Sequence, residues 1–175
     1  MTLYSLALFV HIVGALMLFT AFTSEGISLF HLRRATTSAQ VEVWEGVAGL
    51  ARIFGPASAV AILASGLYMM VSSWGWVPWL AVGLFAWVIV AVMGAINGIR
   101  LSLVVRQTRT DAGAFSRLGA PSFVISWLTR LAIGLGIVFL MTDKPVLVWA
   151  IACVAVATAA GALAGLLVSR QTASH

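Results

Sequence analysis

The 175-residue sequence predicts an all-α polytopic bundle in which five helices cross a membrane. Three observations lead there. Hydrophobic residues make up 62% of the chain and charged residues only 9%, where a soluble domain carries roughly 45–50% and about 25%. Five stretches approach or exceed the length of about 20 apolar residues that a helix needs to cross the hydrocarbon. Within each stretch the apolar run is continuous instead of alternating, which excludes a closed barrel.

The first span covers residues 3–24 and continues as helix toward Arg34. No Lys or Arg precedes it, so it reads as a retained span instead of a cleaved signal. Residues 38–50 (SAQVEVWEGVAGL) form an amphipathic lead-in to the second span. Val41, Trp44 and Val47 or Ala48 share one helical face, while Glu42 and Glu45 fall elsewhere, which suits the inner membrane surface.

The second span covers 53–72 and holds Gly55-Pro56. Proline removes a donor to the carbonyl of Arg52, so a kink is expected there. The third span covers 77–99, the fourth 121–141 and the fifth 145–168, with Pro121 and Pro145 at natural helix starts. SSWGWVPW joins spans two and three, and MTDKPV joins four and five; such short links imply antiparallel neighbours. The chain therefore reads as one membrane domain, 1–175.

Charge sets the expected orientation. The net charge is +5. With five spans, Arg33, Arg34, Arg52, Arg100, Arg106, Arg109, Arg117 and Arg170 all fall on one side, and the other keeps only Lys144. The positive-inside rule then places the N-terminus outside and the C-terminus in the cytoplasm, in a bacterial cytoplasmic (inner) membrane. Trp74, Trp76, Trp79 and Trp149 gather at the outer ends as an interfacial belt. The expected partners are membrane lipids, not nucleic acid, because no polar domain exists to carry a basic binding face. GAING (Gly94–Gly98) and GALAG (Gly161–Gly165) are small-xxx-small patterns that let helices approach closely. They serve packing within the bundle, a homodimer, or a partner in a larger membrane complex. Cys153 is the one cysteine and supplies neither a disulfide nor a CxxC pair.

Ionisable groups inside spans are costly and often functional. Here they are His11, Glu25, Arg52, Arg100 and Arg130, with Asn97 as a polar companion. His11 lies about 12 Å below the outer end of its span, at 1.5 Å per residue. Glu25 shares its face to within about 40° but stands roughly 21 Å further along. Arg130 is near mid-span, and Ser122, Ser126 and Arg130 recur at every fourth position as one polar stripe. Glu25 is the best carboxylate partner for Arg130 in that half of the membrane. One carboxylate against Arg52, Arg100 and Arg130 leaves surplus positive charge, a setting for a lipid phosphate, a carboxylate or a haem propionate. There is no HExxH, no GxSxG and no Gly-rich phosphate loop, so an enzyme is not the expectation.

VHIVGALMLFTAF (Val10–Phe22), ARIFGPASAVAILASGLYMM (Ala51–Met70) and FLMTDKPVL (Phe139–Leu147) resemble an uncharacterised family of small bacterial predicted integral membrane proteins. The first of these segments also resembles the opening helix of copper-resistance-D-like and protoporphyrinogen-oxidase-like membrane proteins. There, a histidine in the first span is associated with haem or metal, which would make His11 an axial haem ligand.

The expectation for function is a bundle that binds or moves a small anionic or amphipathic molecule. Its ligand-binding residues would be Glu25, Arg52, Asn97, Arg100, Ser126 and Arg130. A b-type haem or quinone redox protein using His11 is the first alternative, and an assembly subunit of a membrane complex is the second.

Overall fold

The Thr2 hydroxyl accepts the Ser5 amide and so opens α1 (Leu3–Leu32), meeting a donor that a helix start otherwise leaves unpaired. The computed structural model describes residues 2–171, with Ala112 as backbone only. Thr37 repeats the device for α2 (Ser38–Met69), accepting the Gln40 amide. No breaker separates residues 38–50 from the following span, so the lead-in forms the first turns of one continuous helix. That helix runs on through Pro56 and ends in a single π turn, Met70–Trp74, closed by Gly75 at φ 63°. Gly75 is suited to that left-handed backbone because it has no Cβ.

Prolines start the next two long helices, α3 (Pro78–Gln107) and α5 (Pro121–Asp143), the second as expected, whereas Pro145, the other expected start, lies in the turn before the last helix. Between them lies the single turn α4 (Phe115–Leu118). Lys144, at φ 52°, turns the chain from α5 into α6 (Leu147–Gln171). Among the described residues every regular element is helical. Five helices are long and apolar enough to cross a membrane: α1, α2 with its π turn, α3, α5 with α4, and α6.

The helices sort into two units. α1 and α2 pack against each other along their length. His11 meets Ser65, Gly14 lies against Ile62, and the His31 ring stacks on Trp44 at 3.7 Å between centroids. As numbers rise on one helix they fall on the other, so the pair is antiparallel. The second unit is α3, α5 and α6, with α5 the most buried of the five long helices. α1 meets α5 along a narrow seam, and α2 leans on little besides α1.

Three buried apolar layers run through the bundle. At the end rich in arginine, Leu29, Leu32, Leu101, Val105, Leu118 and Phe123 pack together. Phe22, Ala86, Val90 and Ile133 form the middle layer. Trp79, Leu140 and Ala150 close the aromatic end. Beside that last layer, Lys144 Nζ lies 4.1 Å over the Trp74 ring, and the Trp74 indole donates to the Tyr4 hydroxyl at 3.3 Å. The expected tryptophan belt is thus also a clasp holding the chain start and two turns together.

Candidate functional site

Where α1, α3 and α5 meet, three polar side chains converge between the basic-end layer and the middle layer. Glu25 projects from α1, Asn97 from α3 and Arg130 from α5. The Asn97 amide donates to Glu25 Oε1 at 2.9 Å, and Arg130 Nη2 donates to the same oxygen at 2.5 Å. Asn97 is 3% exposed and Arg130 4%; the Glu25 side chain keeps 12%. Burial of this order is tolerable for charges only when they are paired and hydrogen-bonded.

Local sequence makes room for the junction. A Cβ on Gly94 would stand 3.2 Å from Arg130 Nη1, so this glycine of GAING lets the guanidinium lie against α3. The Phe22 ring covers the other side, 5.8 Å from Arg130 Cζ to its centroid. One turn away, Trp127 docks into α1. Its indole donates to the Phe22 carbonyl at 2.8 Å, its ring meets Phe30 edge-on, and it covers Gly26 so closely that any Cβ there would clash. Phe22, Gly26 and Phe30 recur every four residues, so Trp127 lies along a single groove of α1. At its centre the seam between the two units holds one indole, one ring and one ion pair.

The expected partnership of Glu25 with Arg130 and Asn97 is present. The wider arginine cluster is not. Arg52 turns to Glu45, 3.6 Å away, and also donates to the Glu45 carbonyl; its side chain is 47% exposed. Arg100 lies over the Phe123 ring at 5.7 Å. Arg100 starts near the end of α3, whereas Arg52 starts mid-helix and its long stem carries the charge along α2 to Glu45. Ser126 is half-buried on the Arg130 stripe and makes no hydrogen bond to Glu25, Asn97 or Arg130. The expected surplus of positive charge is thus absent from the junction, which holds one cation and one anion. Phe22, Gly26, Gly94 and Trp127 are the members that sequence reasoning missed. A tryptophan seven residues into a span, outside the interfacial belt, was the available signal.

His11 serves the α1–α2 pair. Its Nδ1 lies 3.1 Å from Ser65 Oγ, and the Ser65 hydroxyl donates to the Ala61 carbonyl, so the ring nitrogen is the donor. A Cβ on Gly66 would sit 3.2 Å from His11 Cε1, which places the ring directly against α2. His31, twenty residues on and roughly 30 Å away along the same helix, donates to the Ile27 carbonyl and stacks on Trp44. His175 lies outside the described residues. These positions do not fit a haem held between two histidines. Among the described residues no three His, Cys, Asp or Glu side chains gather as metal ligands. The His11–Ser65 bond instead fixes helix register. Ser65→Ala is expected to lower stability by about 0.5–1 kcal/mol, measurable by denaturant unfolding in mixed micelles.

Chemically, the junction holds a protein carboxylate on a guanidinium and an amide. A guanidinium offers five N–H donors in a rigid fork. Arg130 directs Nη2 at Glu25, while its Nε is buried and has no hydrogen-bond partner among the described residues. No family model, curated protein or solved structure matches this chain.

Proposed function

We propose that the chain is a multi-pass protein of a bacterial cytoplasmic membrane, N-terminus outside, which binds or moves a small anionic or amphipathic molecule at Arg130. The observation that carries this reading is the under-used guanidinium. Arg130 is 4% exposed, yet its buried Nε donates to nothing among the described residues. An unpaired buried donor is destabilising by about 1–3 kcal/mol. Packing alone would be served better by an apolar side chain of similar volume. The arginine-rich end supports the cytoplasmic placement of the inner ends. The five apolar helices support membrane insertion.

Native mass spectrometry of protein extracted in a mild uncharged detergent tests it. The wild type is expected to retain a small anionic adduct, and so are Arg52→Gln and Arg100→Gln. Glu25→Gln/Arg130→Gln, which removes both charges together and so avoids burying one alone, should lose it. An adduct that persists in the double variant, with helical content unchanged, rules out Arg130 as the binding group.

A further inference from the structure

At the junction Glu25 occupies the place an outside anion would take. Two donors from two different helices, Asn97 Nδ2 and Arg130 Nη2, converge on a single carboxylate oxygen. Such a cradle recognises carboxylate chemistry, and here the carboxylate is tethered to α1. Resting on the binding role proposed above, we propose that Glu25 is an internal stand-in for the ligand. The ligand is a carboxylic acid on an apolar chain, and it binds by exchange, handing its proton to Glu25 as its carboxylate takes Glu25's place on Arg130.

Charge balance dictates the proton. The junction holds one positive and one negative group in an environment with almost no exposure. Adding an anion alone would leave a net buried negative charge, which is strongly unfavourable at low dielectric. In the exchange, the O–H bond of the incoming acid breaks and an O–H bond forms on Glu25. One ion pair replaces another, and the net charge stays zero.

No other described group competes for that proton. From α5 only Arg130 faces Glu25, and from α3 Asn97 does. Arg100 lies a turn beyond Asn97 over Phe123. Arg52 stands near the Glu25 level on α2 but is committed to Glu45. On α1 the nearest titratable side chain toward the basic end is His31, stacked on Trp44. α6 meets α5 through Gly161 and Gly165 and carries no ionisable side chain in its helix before Arg170 except Cys153. Buried apolar side chains flank the junction on both sides, so a carboxylic acid reaching it passes among apolar groups. Glu25 and Arg130 meet across the narrow seam between α1 and α5.

Octanoate is the probe, added to the full chain in an uncharged detergent. The wild type is expected to take up one proton per octanoate bound, read with a pH-indicator dye. Its affinity for total octanoate should fall about tenfold per pH unit between pH 6 and 8. Glu25→Gln should bind without proton uptake and with affinity flat across that range. Methyl octanoate, which has no carboxylate, should not compete. Binding by the wild type with no proton uptake overturns the exchange while leaving Arg130 as a binding group. A Glu25→Gln protein that keeps the wild-type slope overturns it equally. Loss of octanoate binding in wild type and Glu25→Gln alike, together with no native adduct on Arg130, removes the binding role itself.

Discussion

Arg130→Ala lowers the unfolding free energy by about 3–5 kcal/mol, because it leaves the Glu25 carboxylate buried without a cation. The expected loss is this large because Glu25 is only 12% exposed and Asn97 is its one other hydrogen-bond partner among the described residues. Replacing both members at once, as Glu25→Leu/Arg130→Met, removes the uncompensated charge. That double variant should regain most of the loss, since an apolar pair of similar volume often matches or exceeds a buried ion pair. Reversible unfolding in mixed micelles, followed by tryptophan fluorescence, measures all three proteins. A single Arg130→Ala that unfolds like the wild type would show that the pair contributes no net stability. The contrast also separates the roles of the pair, because the double variant should be folded and yet inert in octanoate binding.

The second large effect is expected where α5 meets α6. A Cβ on Gly165 would stand 2.6 Å from the Ile125 Cα, and one on Gly161 would stand 2.7 Å from both the Leu128 carbonyl oxygen and the Thr129 Cα. These are backbone atoms, so no side-chain rotation relieves the clash. Gly161→Val and Gly165→Val should each lower stability by about 1–3 kcal/mol through overpacking, and the double variant should lose the α5–α6 pairing. Gly98→Val is the control: a Cβ there meets nothing within 4 Å, so a change of under about 0.5 kcal/mol is expected. The same unfolding assay reads each variant. Equal stability of Gly98→Val and Gly165→Val would contradict the close approach. Of the two small-xxx-small motifs, GALAG is thus a packing motif inside the chain. In GAING, Gly94 makes room for an arginine.

Fold and site were legible to different depths. Continuous apolar runs identified the five long helices, because length and hydropathy are properties of each segment alone. Their ends were less visible. α1 ends at Leu32, close to the expected limit near Arg34, whereas α3 reaches Gln107, about eight residues past the apolar run, because helical hydrogen bonding continues into polar sequence until a cap or turn stops it. Glu25 and Arg130 were matched by charge and depth, quantities that a linear sequence does carry. Arg52 and Arg100 were grouped with them for the same reason, wrongly for the junction, because side-chain direction decides which long arginine stays inside. The position of Trp127 was a signal, but its docking over Gly26 was not readable. It depends on which face of α1 meets α5, and periodicity is weak in helices that are apolar on every side.

The division into a hairpin and a three-helix unit bears on biosynthesis. α1 and α2 leave the ribosome first and can clasp each other through His11 and Ser65, Gly14 and Ile62, with nothing downstream yet made. Glu25 then waits for a counter-charge that lies 105 residues later in the chain. Until α5 is delivered, its carboxylate lacks the guanidinium that pairs with it in the finished fold. The nascent hairpin is therefore complete in packing but unfinished in charge, and arrival of the fourth long helix locks the two parts together.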